Sequence, residues 1–172
     1  MEKYVPDIYK KSIYTINYEK LKARGIKCLL FDLDNTLVPV NVDVPTKKIK
    51  ELFNYLEKDF KVIIISNSSR KRLTPFKEGL NVDTAPLALK PRKDKYEKII
   101  KEYNLKPMEI AAIGDQLCTD ILGANRMGIR SILINPISNV DFFATVFNRF
   151  LEKIIMKQLE KKELFKKGEY FE

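Results

Sequence analysis

Apolar residues along this chain alternate between two rhythms. Short runs rich in Ile, Leu and Val, at residues 27–31, 61–65, 109–113 and 129–134, read as buried strands. Residues 82–85 read as a weaker strand. Between these runs the apolar positions fall at helical spacing. Ile49, Leu52, Phe53 and Leu56 stand at i, i+3, i+4 and i+7, behind Pro45, which suits the first turn of a helix. A second helix is predicted from the basic cluster Arg70-Lys71-Arg72 towards Gly79. A third, from about Arg92 to Tyr103, carries Tyr96, Ile99, Ile100 and Tyr103 on one face. A short fourth, from about Thr119 to Met127, stops at Gly128, a favourable C-terminal glycine. This alternation predicts an α/β protein: a three-layer, Rossmann-like fold with a mostly parallel five-stranded sheet and helices on both faces.

The two ends read differently. Residues 1–26 form an N-terminal arm in which Tyr4, Tyr9, Tyr14 and Tyr18 alternate with lysines. Within it, residues 12–16 are either a short strand or part of an ordered arm, and residues 19–24 suit one or two helical turns ended by Gly25. Residues from about 139 to 172 form an amphipathic helical tail. Phe143, Val146, Phe147, Phe150, Leu151 and Ile154 make its apolar stripe, and Arg149, Lys153 and Lys157 follow at steps of four. Such a helix either packs on the domain or offers a face to an anionic membrane or a partner. The whole chain, 1–172, is expected to be one domain with its core at about 27–135.

Composition narrows the chemistry. The chain has 172 residues, is 45% hydrophobic, and contains no histidine. Catalysis through Ser-His-Asp or Cys-His pairs and His-ligated zinc are therefore excluded. Acid–base work falls to Asp, Glu, Lys, Tyr or Cys. The two cysteines, Cys28 and Cys118, lack metal-ligand spacing and read as reduced thiols. No apolar run reaches the roughly 18 residues of a spanning helix, and Met1 to Asp7 lacks a signal-peptide core, so a cytoplasmic location is expected.

The net charge is +9, and it is unevenly spread. Residues 28–40 hold only Asp32 and Asp34, whereas residues 41–110 hold 16 basic against 10 acidic residues. An acidic centre in a basic shell attracts anionic substrates, anionic membranes or nucleic acid.

That centre is the stretch Phe31-Asp32-Leu33-Asp34-Asn35-Thr36, at the end of a predicted strand. Two carboxylates placed there are costly unless a cation compensates. Ser66 and Asn67, Asp115 and Asp120 also fall at or just beyond strand ends, and Lys90 follows the third strand. In open α/β sheets the carboxyl ends of the strands form the binding crevice. Asp32, Asp34 and Asp115 are hard oxygen donors suited to Mg²⁺. Ser66, Asn67 and Lys90 can donate to a phosphoryl group. An Asp nucleophile with a second Asp to move protons is sufficient for phosphate-ester hydrolysis without histidine.

These motifs resemble those of haloacid-dehalogenase-type (HAD) phosphatases. Asp32-Leu33-Asp34-Asn35-Thr36 matches the DxDxT signature, Ser66 the second motif, Lys90 the third, and Gly114-Asp115-Gln116-Leu117-Cys118-Thr119-Asp120 the GDxxxTD motif. The resemblance implies Asp32 as nucleophile and Mg²⁺ ligand, and Asp34 as general acid/base with its carbonyl on the metal. It implies Ser66 and Lys90 as phosphoryl ligands and Asp115 as a metal ligand. Asp120 would support the metal shell or orient Lys90, and Thr36 would brace the loop. The spacings from Asp32 to Ser66 and from Ser66 to Lys90 leave no room for a cap domain.

More closely, Pro6-Asp7, Ser12-Ile13-Tyr14, Phe31 to Pro39, Lys90-Pro91 and Gly114 to Gly128 resemble the capless YqeG-type subfamily (IIIA type). That group is similar to mitochondrial phosphatidylglycerophosphate phosphatases. The resemblance implies a lipid-headgroup substrate and peripheral contact with an anionic membrane. Two other readings stand beside it: a phosphatase of a soluble sugar phosphate, nucleotide or nucleic-acid end, and an RNA- or ribosome-associated module with little catalysis. The basic run Ser68-Ser69-Arg70-Lys71-Arg72 suits nucleic acid equally well.

Overall fold

The computed structural model describes all 172 residues. Its centre is a six-stranded, all-parallel sheet. In chain order the strands are β1 (Ile8–Lys10), β2 (Cys28–Phe31), β3 (Lys61–Ile65), β4 (Asp83–Ala85), β5 (Ile110–Gly114) and β6 (Arg130–Ile134). Their spatial order is β1-β6-β5-β2-β3-β4. The helices are α1 (Tyr18–Ala23), α2 (Lys47–Leu56), α3 (Arg70–Leu80), α4 (Asp94–Glu102), α5 (Leu122–Met127) and α6 (Phe143–Lys161).

The period-2 alternation of each strand divides the core. Leu29, Phe31, Val62, Ile64, Ala111 and Ile113 face one side, where α1, α2 and α3 bring Leu21, Ile49, Phe53, Leu73 and Phe76. Cys28, Leu30, Ile63, Ile65, Ile110 and Ala112 face the other, against Tyr96 and Ile99 of α4 and Ala124 of α5. Both faces of each central strand are buried, which is why these segments read as continuous apolar runs. Only α2 and β3 fill the sequence between the first two motifs, and α3 and β4 fill the next interval, so the strand ends stay uncapped.

The sheet has one strand more than the pattern predicts. Ile8–Lys10, within the expected arm, pairs with β6. Asp7 fixes its register: its carboxylate accepts from the Ser131 backbone N–H (2.8 Å) and hydroxyl (3.3 Å). A three-residue strand leaves too short a period to be seen in sequence. Residues 13–15, in the stretch where a strand was possible, form a 3-10 turn instead, because the Ser12 hydroxyl accepts from Tyr14 N–H and Thr15 reaches back to Ser12. The outer edge of β1 is closed by Phe171, which exchanges two backbone hydrogen bonds with Tyr9 (2.9 and 3.0 Å) and removes an open pairing edge.

The tail also differs from expectation. Helix α6 packs on the domain, but through Arg149, Glu152 and Leu159, not through its apolar stripe. The stripe faces away. The reason lies beneath the helix, where the Asp115 carboxylate and the Leu117 backbone N–H are buried at the end of β5 and require polar partners.

Candidate active site

The carboxyl end of β2 delivers Asp32, and the turn after it delivers Asp34, Asn35 and Thr36. Asn35 adopts a left-handed conformation (φ 62°), which Asn tolerates better than most residues. Its backbone N–H donates to Val38 O (2.7 Å), so the turn folds back on itself. Ser66 ends β3, and Lys90 enters from the segment after β4. Asp115 follows β5 directly, and Asp120 comes from a single π-turn over Leu117–Ile121. Such turns recur at functional sites because they re-aim a side chain.

Lys90 is the hub. Its buried ammonium donates to Asp32 Oδ1 (2.8 Å), Asp120 Oδ1 (2.6 Å) and the Ile65 carbonyl (3.0 Å), which uses all three of its protons. Burial works against this charge, but Asp120 and Asp32 outweigh it and hold the lysine pKa above its usual value. Asn67 fixes the Lys90 backbone: its side-chain carbonyl accepts from Lys90 N–H (2.7 Å) and its amide donates to Lys90 O (3.2 Å). The amide expected to meet phosphate is thus largely committed to positioning the lysine.

Three carboxylates converge beside it. Oxygens of Asp32, Asp115 and Asp120 lie within 4.8 Å of one another, and all three residues are buried. The Thr36 hydroxyl stands between Asp32 Oδ2 (3.2 Å) and Asp115 Oδ1 (3.1 Å), so it braces the carboxylates and not merely the loop. Burial, reinforced by Asp32, pushes the Asp115 carboxyl well above its ordinary value. Burial likewise pushes Asp120 up to about 6. A buried set of hard oxygen donors with this much mutual repulsion fits a divalent cation such as Mg²⁺. The side chain of Asp34 is not in this cluster. It lies across the mouth, accepting from Ser68 Oγ (2.7 Å) and from Arg72 Nη2 (2.9 Å) and Nε (3.2 Å).

Gly114 permits the arrangement. A Cβ there would lie 2.2 Å from Asp120 Cγ, far inside contact distance, so only glycine lets the π-turn fold back over the strand end. Ser66 is buried below the lysine, and its hydroxyl accepts from Ser68 N–H (3.0 Å).

Four residues outside the expected set complete the site. Arg149 of α6 donates to Asp115 Oδ2, to both oxygens of Asp141 (3.1 and 3.2 Å), to Glu152 Oε2 (3.1 Å) and to the Asp115 carbonyl (3.3 Å). Glu152 is buried and also accepts from Leu117 N–H. Arg72, read as part of a basic cluster, also grips Val42 O (2.5 Å) and so ties down the loop between the Asp34 turn and α2. Asn35 donates to Val140 O (2.9 Å) and accepts from Ser138 Oγ (2.7 Å), fixing the approach to α6. The spacing of Arg149 and Glu152, opposite the apolar stripe, was the one available signal for the α6 pair.

The resulting cleft holds about 250 Å³ and is lined by Asp32, Asp34, Ser66 and Lys90 together with Thr145 and Asn148 of α6. A larger cavity of about 590 Å³ lies at the opposite ends of the strands, near Asp7, Met108 and Arg130, and holds none of the acidic cluster. The cleft offers a fixed cation and a carboxylate within reach of it, and Asp32 joins it to the metal-competent oxygen cluster behind. That set suits transfer of a phosphoryl group.

Comparison with known proteins agrees with this geometry. The family described as mitochondrial PGP phosphatase matches residues 1–138. "Probable phosphatase YqeG" of Bacillus subtilis is 38% identical over 160 residues, covering 92% of this chain and 93% of that protein. The chloroplastic/mitochondrial phosphatidylglycerophosphate phosphatase 1 of Arabidopsis thaliana is 25% identical over 177 residues. That match covers 93% of this chain but 46% of the plant protein. Among solved structures, a HAD family enzyme of Bacteroides thetaiotaomicron in its magnesium complex superimposes with a TM-score of 0.53 at 16% identity, covering 72% of this chain and 98% of that one. This last likeness is one of fold.

Proposed function

The chain belongs to the mitochondrial PGP phosphatase family and is a HAD-type phosphatase, and on that premise we propose that it hydrolyses the phosphate monoester of phosphatidylglycerophosphate, a lipid headgroup. The observation that carries this reading is the Lys90 hub, which holds Asp32 at the floor of a cleft that no cap domain covers. An open cleft suits a substrate whose remainder is too large, or too firmly embedded, to be enclosed.

Each step can be assigned to a residue. Lys90 orients Asp32 and offers positive charge to the phosphoryl oxygens, while Ser66 lies beside it to complete their contacts. An Asp32 carboxylate oxygen attacks phosphorus, the ester P–O bond breaks, and the leaving alkoxide takes a proton from the Asp34 carboxylic acid. Asp34, now a carboxylate, takes a proton from water. That water attacks the phosphorus of the aspartyl phosphate and frees inorganic phosphate and Asp32. Arg72 and Ser68 hold the Asp34 side chain at the mouth of the cleft, where the leaving oxygen and then the attacking water would meet it. Asp32 and Asp115, with the Asp34 carbonyl, would hold Mg²⁺, and Asp120 would support that shell through Lys90. Bound there, the cation neutralises charge on the phosphoryl oxygens.

The test is phosphate release from phosphatidylglycerophosphate in mixed micelles, compared with glycerol phosphate, sugar phosphates and nucleotides, with and without Mg²⁺. The lipid should be preferred. In Asp32→Asn, release should fall by on the order of 10³-fold or more. Preference for a soluble ester would refute the lipid reading, and persistence of activity in Asp32→Asn would refute the nucleophile.

A further inference from the structure

Helix α6 carries its apolar residues on the wrong side for a packed helix. Phe143, Phe147 and Phe150 are 95, 65 and 61% exposed, and Val146, Leu151 and Ile154 are exposed with them. Surface helices of globular domains normally turn such a stripe to the core. Here the inner face is already occupied by Arg149, Glu152 and Leu159, so the outer stripe is unpartnered. Continuing along the same face at helical spacing, Lys157 and Lys161 are exposed. The outward face is therefore apolar for three turns and then cationic.

A separate feature borders two residues that line the same cleft, Ser68 and Lys90. Leu87 and Leu89 are 58 and 57% exposed and both adopt left-handed backbone (φ 50° and 53°), which is costly for a bulky side chain. Nothing in the core compensates, because neither side chain is buried. The turn is anchored to the site: Leu87 N–H donates to Ser68 O (2.9 Å), and Leu89 directly precedes Lys90. Exposed cations stand at the same strand ends, Arg70 and Lys71 opening α3 and Arg92 and Lys93 leading into α4. The acidic residues among them are few, with Asp94 paired to Arg92 (3.0 Å) and Asp43 to Arg72 (3.2 Å).

We propose that the α6 stripe, Leu87 and Leu89 together form a docking face for an anionic lipid bilayer, which sets the cleft mouth at the level of the headgroups. This rests on the lipid-headgroup reading above and adds the surface that would deliver it. Continuity supports it, since the exposed Phe142 lines the cleft and Phe143, the first residue of the stripe, follows it directly. Charge supports it as well. Aromatic side chains followed by lysines on one helical face match insertion beneath a headgroup layer. A net charge of +9 favours an anionic surface and opposes apposition of two copies of this chain. No helix is long and apolar enough to cross a membrane, so the contact would be interfacial.

The experiment is co-sedimentation of the full chain with phosphatidylglycerol/phosphatidylcholine vesicles and with phosphatidylcholine vesicles alone. Wild type is compared with Phe147→Ser/Phe150→Ser and with Leu87→Ser. Mg²⁺-dependent hydrolysis of p-nitrophenyl phosphate reports an intact site, and light scattering reports oligomeric state. Wild type should bind the anionic vesicles at least about tenfold more tightly than the neutral ones, and the double variant should lose about tenfold or more. Leu87→Ser should lose a smaller factor, and aryl phosphate hydrolysis should be unchanged in both variants. Equal binding by the double variant, or no binding by wild type, would overturn the proposal. So would a wild-type dimer that the double variant converts to monomer without any vesicle binding, because the stripe would then join two copies. Docking with phosphatidylglycerophosphate left intact would uphold the surface and sink the substrate. Hydrolysis of micellar lipid without vesicle binding would do the reverse.

Discussion

Arg149 donates to the carboxylate of Asp115, so a cation from the C-terminal helix rests on one of the expected metal ligands. All five guanidinium N–H groups are used, on Asp115, Asp141 and Glu152. Burial opposes the Arg149 charge, but these carboxylates outweigh it and raise its pKa further. The arginine therefore both anchors α6 and places positive charge beside the metal-competent cluster.

Replacing Arg149 by Met should separate these two roles. Mg²⁺ affinity should rise by on the order of tenfold, because a like charge is removed and an Asp115 oxygen is released. Stability without Mg²⁺ should fall by about 3 kcal/mol, near the lower end for breaking a buried pair, since the Arg149 side chain remains 20% exposed. Isothermal titration with Mg²⁺ and urea denaturation measure the two. Weaker Mg²⁺ binding in the variant would mean that the guanidinium preorganises Asp115 and does not compete for it.

Lys90→Met should be destabilising beyond its loss of activity. It leaves Asp32 and Asp120 buried without their shared cation, which should cost about 3–5 kcal/mol. Adding Asp120→Leu should recover much of that stability, because one uncompensated carboxylate is gone, while phosphatase activity stays lost. Denaturation midpoints of the single and double variants give the coupling directly. Strict additivity of the two substitutions would show that Lys90 and Asp120 do not act as a pair.

The sheet and the site were legible to different depths. Buried parallel strands announce themselves as apolar runs, and the four motifs fall at their ends, so β2 to β6 and the hub residues could be placed from the sequence. Ile8–Lys10 could not, because a three-residue edge strand is defined by its partner, Arg130–Ile134, and by Asp7 on Ser131. The spacing of Arg149 and Glu152 marks a polar face on α6, but their role was hidden for a related reason. Their partners are a strand end 34 residues earlier and a backbone N–H, which no helical period encodes. The stripe on α6 was visible, but its direction was not, because polar demand beneath the helix decides which face turns inward.

Gly114→Ala should disrupt the site without touching a catalytic side chain. The added methyl would lie 2.2 Å from Asp120 Cγ, and the residue it meets is held at both oxygens, by Lys90 Nζ and by Gln116 N–H (3.1 Å). Asp120 must move, and with it the lysine. A stability loss of about 1–3 kcal/mol is expected, together with weaker Mg²⁺ binding and reduced aryl phosphate hydrolysis. An Ala variant with native Mg²⁺ affinity would show that the π-turn has room to shift.

The pH dependence of stability should reveal the crowded carboxylates. Asp115 and Asp120 are both raised by burial, Asp120 to about 6 from an ordinary value of 3.8. The folded state therefore holds protons more tightly than the unfolded chain, and the sign is opposite to that of a salt-bridged carboxylate. Without divalent cation, stability should fall as pH rises from the ordinary carboxylate range through about 6 and beyond. Asp83 and Glu172 are lowered by hydrogen bonds from lysines and act in the other direction, but near the surface and at more acidic pH. Mg²⁺ held by these carboxylates would require the deprotonated cluster, so the rise in melting temperature that it produces should grow between about pH 5 and pH 7.5. Thermal melts with and without Mg²⁺ across that range measure the difference, and a Mg²⁺ effect independent of pH would place the cation elsewhere than on these carboxylates.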